Sequence, residues 1–399
     1  MKLRNNLLTI FVLSICSTTF AQAQSDTESA AASFSTIINL PEDPLNPNPI
    51  GFSGNSIGNG AEIFTDTQLN VADGGSVGDL FNVSGFNRSG NIEVNISGGT
   101  VGNDFNSIPG SSVNISGGTV GDFFAAVDNT INISGGIIGS DFLTTDSSIK
   151  ISGGTIGSLE TFGDSTTNIS GGTINGFRVA FGSVANISDG TVGVLDVDRS
   201  TVNISGGIVG DSSEAFGGTI NISGGSLGDD FNATGAFDDE VIVNISGGSV
   251  GFSFDANGGS IVNIRGGTIG DNFGAFGSTT NISGGNIGDG FLATTGSEVN
   301  IFGTEFFLNG TPLSDLILDQ PAEIPERGEN GVLSGLLADG TAFDFELTEN
   351  TTFPNRGIGP GATLTVTLVA AVPEPGSALT LAMTSVLLLT RRRKKTLRS

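Results

Sequence analysis

The sequence predicts an all-β chain, a parallel β-helix solenoid followed by a small C-terminal antiparallel β domain. Three observations carry this. First, Asn-Ile-Ser-Gly-Gly or a near copy recurs, its first residue at Asn95, Asn114, Asn132, Lys150, Asn168, Asn186, Asn203, Asn221, Asn244, Asn263, Asn281 and Asn300. Second, the spacings are 19, 18, 18, 18, 18, 17, 18, 23, 19, 18 and 19 residues. A unit of about 18 residues is too short for a helix pair with its turns and suits one solenoid coil. Third, the anchors sit in strand alternation, as in Val94-Asn95-Ile96-Ser97, where Val94 and Ile96 face one side and Asn95 and Ser97 the other.

Within each repeat the elements follow in order. The residue after the anchor is always Ile; the one before it is usually Val or Ile, with Thr167, Ala185 and Thr280 as exceptions. The Gly pair bends the chain where side chains would clash. A second short strand follows, such as Thr119-Val120-Gly121 or Thr268-Ile269-Gly270, and its central residue is the next inward position. Several repeats then place Phe ten residues after the anchor: Phe105, Phe124, Phe142, Phe231, Phe254, Phe273 and Phe291. Four apolar side chains per coil bury on stacking, at about 1.5–3 kcal/mol each. One coil alone cannot offset its ordering entropy, so stability comes from its neighbours. Eleven intervals at a rise of about 4.8 Å predict a rod of about 50 Å, right-handed by the crossover rule.

The expected organisation is residues 1–23 as a signal peptide, 24–50 as a Pro-rich linker, 51–93 as degenerate N-terminal coils, 94–304 as the β-helix, 305–370 as the C-terminal β domain and 371–399 as a sorting tail. Asn70 opens a worn copy with one inserted residue. Asn309-Gly310 and Asp339-Gly340 are two-residue hairpin signals. The strand at residues 363–369 completes a domain that covers the open end of the solenoid.

Composition narrows the chemistry. The 399 residues include 63 Gly and 28 Phe, no His, Trp or Tyr, and one Cys, Cys16, inside the expected signal peptide. Imidazole catalysis, His-bound zinc, disulfides and thiol nucleophiles are excluded from the mature chain. Lys2 and Arg4, an apolar run at 7–15, and the small-x-small site Ala21-Gln22-Ala23 predict cleavage before Gln24. Between Gln24 and Val372 stand 40 acids against 7 bases, a formal charge of −33. This argues against nucleic acid and anionic membranes as partners.

The C-terminus reads Pro373-Glu374-Pro375, an apolar stretch at 378–390, then Arg391-Arg392-Arg393-Lys394-Lys395. The stretch is shorter than the ~20 residues of a full span, and its basic cluster favours the cytoplasmic side. This tripartite tail resembles the PEP-CTERM sorting signal of Gram-negative bacteria, including planctomycetes. The resemblance implies Sec export and recognition of Pro373, Glu374, Pro375, Arg391, Arg392 and Arg393 by a membrane exosortase. It also implies membrane association before processing, then a cell-surface or matrix location alongside exopolysaccharide. The repeats resemble the short-coil β-helices of filamentous adhesins and autotransporter passengers.

Four kinds of site were weighed on the residues. Paired carboxylates for polysaccharide hydrolysis are concentrated at Asp229-Asp230 and Asp238-Asp239-Glu240 in the 23-residue interval, where a solvated loop is the favoured reading. Asp122, Asp211, Asp229, Asp271 and Asp289 follow the Gly of the second strand and form a partial column with oxygen ligands suited to calcium, the one cofactor the pattern admits. Solubilising charge on turns gives the same pattern. Asn and Ser ladders with a Thr row at Thr100, Thr119, Thr155, Thr173, Thr191 and Thr268 could meet a repetitive ligand such as ice or glycan. The Asn-Ile-Ser glycosylation match is a product of the repeat itself. The expectation is a non-enzymatic exported structural protein, with an ice- or glycan-binding adhesin as the alternative and a polysaccharide-active β-helix enzyme as the third reading.

Overall fold

A computed structural model describes residues 34–370 except 46, 50, 51, 53, 84–90, 236–238, 295, 325–330, 348–356 and 360. The expected signal peptide with Ala21 and Ala23, and the sorting tail with Pro373, Glu374, Pro375 and Arg391 to Arg393, lie outside the described residues, as does Asp238. Among the described residues all regular structure is strand. It forms a parallel β-solenoid of about 12 turns with roughly 19 residues per turn. No helix among those residues is long and apolar enough to cross a membrane.

The anchors stack in register, one per coil. Asn70 lies opposite Asn95, Asn95 opposite Asn114, and Asn281 opposite Asn300. The inserted residue expected after Asn70 is real: the pairing steps by 25 residues at Asn70 and by 24 at Ser76. The Gly pair makes the first bend, with Gly118 at φ +72° and backbone of the preceding coil pressed against its α-carbon. A side chain there would meet the carbonyl oxygen of Gly98.

All four expected inward positions are buried, as Val113, Ile115, Val120 and Phe124 illustrate for one coil. The phenylalanines stack along the axis. Ring centroids are 4.5 Å apart for Phe105–Phe124 and 4.4 Å for Phe124–Phe142, and 4.9–5.2 Å through Phe231, Phe254, Phe273 and Phe291. Between the two runs stand Leu159, Phe177, Leu195 and Ser213. The cross-section holds two further inward columns that hydropathy did not reveal. One is small and mixed: Ser107, Ala126, Thr144, Thr161, Val179, Val197 and Ala215. The other is polar, three residues before the anchor: Ser111, Asn129, Ser147, Ser165, Ser183, Ser200, Ser260, Ser278 and Ser297. In the early coils its members join neighbours; the Asn129 N–H donates to Ser147 Oγ at 3.1 Å, and the Ser147 N–H to Ser165 Oγ at 3.1 Å, which satisfies those buried hydroxyls. The buried hydroxyls of Ser260 and Ser278 have no hydrogen-bond partner among the described residues.

The corner before Phe105, Phe124, Phe142, Phe231, Phe254 and Phe273, and before Ser213, uses a left-handed non-Gly residue: Asp104, Phe123, Asp141, Asp230, Ser253, Asn272 and Ser212, all with φ between 56° and 64°, and Gly290 takes the place before Phe291. Asp and Asn tolerate that region best. The Lys150, Asn168 and Asn186 coils have no such residue. Their strands run through the corner unbroken, as Ser148–Phe162, Thr166–Ala180 and Val184–Val209.

The two ends depart from expectation. Thr36–Leu40, inside the expected linker, is the first rung, parallel to Thr67–Val71. The Pro-rich residues after it fold back over that rung. The Asn48 side chain accepts from the Asn39 N–H at 2.8 Å and donates to the Asn39 carbonyl at 2.7 Å, standing in for a neighbouring strand. Glu42 holds the loop by accepting from the N–H groups of Asn48 and Gly54 at 3.0 and 2.6 Å. At the other end Glu298–Leu308 leaves the stack and pairs antiparallel with Gly331–Leu337, which pairs with Ala342–Leu347. Asn309-Gly310 forms the expected two-residue turn, with Leu308 opposite Thr311. The second turn has three residues, Ala338, Asp339 and Gly340, because Leu337 N–H bonds Thr341 O at 2.8 Å. Thr363–Leu368, expected within the antiparallel domain, is a last parallel rung on Glu298–Leu308. Its outer edge is covered antiparallel by Pro321–Glu323.

An open first rung is a template for strand addition. Asn48→Ala uncovers both backbone groups of Asn39. The expected result is concentration-dependent association beyond that of the unsubstituted chain at the same concentration, read by light scattering on a sizing column.

Candidate functional site

The first outward row is a continuous amide ladder. Each Asn Nδ2 donates to the Oδ1 of the Asn one coil earlier. The chain runs Asn70 to Asn39, Asn95 to Asn70, Asn114 to Asn95 and Asn132 to Asn114 at 2.9–3.0 Å. It resumes from Asn168 and runs to Asn300 at 2.8–3.0 Å. Thr365 closes it, donating to Asn300 Oδ1 at 2.6 Å. Asn suits this place because one amide carries both donor and acceptor. Lys150 interrupts it, since an ammonium has no acceptor, so Asn132 and Asn168 lose a partner on that side. The amides are therefore consumed by one another. Hydroxyls of the Ser row two residues on, such as Ser188 and Ser205, donate to the Ile carbonyl one coil earlier, and what the face leaves outward is the expected Thr row, with Thr100, Thr119, Thr155 and Thr268 exposed and Thr173 and Thr191 half-buried. Ile137 and Ile208 interrupt the Thr row, each 55% exposed.

The expected calcium column has a definite role in the stack. Asp122 Oδ1 accepts from the Ser140 N–H at 2.8 Å. Asp211 accepts from Asp229 N–H, Asp229 from Phe252 N–H and Asp271 from Asp289 N–H, each at 3.0 Å. Asn59, Asp79 and Asn103 do the same in the early coils, so the carboxylate is interchangeable with an amide there. The Gly before each of these residues is tied to the same contact. A β-carbon on Gly139 would collide with Asp122 Oδ1, and one on Gly228 with Asp211 Oδ1. Among the described residues no group of three or more acidic side chains is placed to hold a metal ion.

Sequence reasoning missed a charged and aromatic cluster on the third face of the coils that lack the left-handed corner. Glu160, Arg178, Asp196 and Glu214 occupy one outward column on successive rungs. Arg178 lies 3.3 Å from Asp198 and 4.0 Å from Glu160. Arg199 donates from Nε to Asp239 at 2.7 Å and lies 3.5 Å from Asp198. Each guanidinium also covers a ring, Arg178 over Phe162 at 5.7 Å and Arg199 over Phe181 at 5.8 Å, and the two rings stack at 6.0 Å. Asp239 comes from the long interval, so that insertion reaches back across two coils to Arg199. The sequence signal was present: two of the seven internal bases sit one coil apart, with acids at the same repeat position on both sides.

Chemically the cluster is a brace. Exposed ion pairs contribute about 0–1 kcal/mol each, but here they are networked and share Asp198. Burial pushes the Asp196 carboxyl above its ordinary value, and Arg178 partly offsets this. Asp255, in the same outward column, is also raised, by burial first and by the negative charge of Asp230 second. The other expected acids do not converge. Asp230 is a corner residue and Asp229 a ladder member.

Two predictions follow from these columns. Lys150→Asn joins the two amide runs and is expected to raise the unfolding midpoint in urea, by about 1 kcal/mol in stability for the restored bonds. Asp255→Asn is expected to raise the melting temperature at pH 7 by about 1–2 °C. A carboxyl whose folded value lies above its unfolded value costs stability once ionised. The gain should therefore shrink as pH falls and vanish below about pH 3, where both states are protonated. Thermal scans of the two proteins across that range check it.

No protein-family model, no curated protein and no solved structure matches the chain.

Proposed function

We propose that this chain is an exported, non-enzymatic structural rod of the cell surface or extracellular matrix, delivered by Sec export and processed by an exosortase acting on its C-terminal signal. The observation that carries the reading is the uninterrupted register from Asn39 to Thr365. Along it the Asn polar groups serve the neighbouring coil and both end rungs are covered. Such a solenoid is suited to spanning distance and presenting repeated side faces. The terminal motifs supply the address: Ala21-Gln22-Ala23 at one end, and Pro373-Glu374-Pro375 with Arg391, Arg392 and Arg393 at the other. The acidic interior keeps the rods apart from one another and from anionic lipid.

One observation favours the adhesin reading as second. The hydroxyls of Thr100, Thr119 and Thr155 are exposed and make no hydrogen bond within the described residues; Thr100 and Thr119 face outward on adjacent rungs and Thr155 one rung beyond Ile137. A repeating glycan is the ligand class with matching periodic hydroxyls.

Mass spectrometry of the protein from fractionated cells tests the main reading. A mature chain that starts at Gln24 and lacks residues 391–399 is expected at the surface. Surface protein with Arg391 to Ser399 intact would defeat the processing step.

A further inference from the structure

The third face of the solenoid is one run of fourteen parallel rungs, from Glu62–Ile63 to Gly357–Ile358. Between Asn114 and Gly217, Phe123, Val127, Leu143, Phe181, Val194 and Phe216 are exposed on this face or at its corners. Over the same coils the second face exposes Ile137 and Ile208, and the Asn face no large hydrophobic residue. A contiguous apolar stripe on an otherwise polar surface marks a contact site. Phe123 and Phe181 also sit in the left-handed region, at φ 64° and 52°. That conformation is costly for a bulky residue, and a ring left half in solvent does not repay it through folding.

Arg178 and Arg199 share the face, with side chains 40% and 51% exposed. A guanidinium has five N–H donors. Among the described residues Arg178 makes one hydrogen bond, to Asp198, and Arg199 one, to Asp239. Phe and Arg are the residues that protein interfaces concentrate, whereas Lys is depleted there.

The face is also self-complementary. Arg178 and Asp196 stand on the seventh and eighth of its fourteen rungs. A copy turned end for end about an axis between those two rungs therefore overlaps the face along its whole length. Fourteen rungs, each about four residues wide, offer about 800 Å² per copy, the size of a standard protein interface.

We propose that the third face binds a second copy of the chain, laid antiparallel about a two-fold axis between the Arg178 and Asp196 rungs. Each contact between neighbouring rungs of one chain is then offered again between the two chains. Arg178 lies opposite Asp196 of the second copy, Phe181 opposite its Arg199, and Phe162 opposite its Phe216. Glu160 lies opposite Glu214, a like-charge pair, and Arg178 stands 4.0 Å from Glu160 to offset it. On the other faces the acidic surface keeps copies apart; on this one the guanidinium groups sit at the centre of the overlap. The inference does not depend on the chain's location or processing.

Sedimentation of the soluble full chain at physiological salt tests it. A dimer of micromolar affinity or tighter is expected. Phe216→Asp is expected to weaken it by about tenfold or more, with an unchanged melting temperature at dilutions where both proteins are monomers. Arg178→Asp and Asp196→Arg should each weaken it similarly, because each sets like charges together twice across the axis. Mixed in equal amounts, these two variants should pair with each other, since every 178 position then meets an opposite charge at 196 in the other chain. A brace within one chain cannot be repaired by another chain, so this rescue belongs to pairing alone. A chain that stays monomeric at about a hundred micromolar would overturn the second copy as occupant. If that monomer is instead retarded by soluble xylan in affinity electrophoresis, and Phe216→Asp is not, the face belongs to a glycan. Association indifferent to Phe216→Asp would overturn the face. Folded variants that fail to pair when mixed would overturn the antiparallel axis.

Discussion

Every residue of the solenoid sits one rung, about 4.8 Å, from its own counterpart in the coils above and below. A position is therefore good only if it complements a copy of itself. This single constraint sorts the columns. Asn carries donor and acceptor on one group and forms an open-ended ladder, whereas Lys150 has donors only and breaks it. Phe stacks face to face at a spacing close to the rung distance, 4.4 Å between Phe124 and Phe142. Ile and Val interdigitate with themselves on a pleated face. Where the backbone of the previous coil comes closest, no side chain complements itself, and Gly is what remains, as at Gly118.

The same constraint explains the aspartates. Asp122 does not merely solubilise a turn. Its oxygen occupies the space a β-carbon on Gly139 would need and bonds the next amide along, Ser140. Gly and Asp are thus one motif spread over two coils, the Gly of one and the Asp of the other. The acidic charge of the rod is partly a by-product of this arrangement, since Asn59 and Asn103 fill the same role without charge.

The middle of the rod relaxes the rule and is compensated for it. Three coils drop the left-handed corner, the Phe stack gives way to Leu159, Phe177, Leu195 and Ser213, and the amide ladder breaks at Lys150. Across those same coils lies the brace of Arg178 and Arg199, tied to Glu160, Asp198 and Asp239 and laid over Phe162 and Phe181. Cross-coil contacts between unlike residues replace contacts between like ones. At the two ends no counterpart exists, and the chain substitutes an Asn48 amide at one and an antiparallel strand at the other.

The periodicity by itself determined the solenoid, the register of the anchors and most of the core, because a copied motif must stack on its copies and alternation names the buried side. Val113, Ile115, Val120 and Phe124 were legible in this way. The buried serines were not, because hydropathy assigns Ser to the surface, and only the corner geometry brings Ser165 Oγ to the Ser147 N–H. The brace was not legible either. Arg199 and Asp239 are 40 residues apart, and an insertion of irregular length decides that they meet. Nor was the first rung, Thr36–Leu40, since it lacks the Gly pair and is recognisable only by what it pairs with. A repeat fixes what each coil does to its equal; tertiary structure decides where unequal residues are brought together, at the two ends and at the insertion.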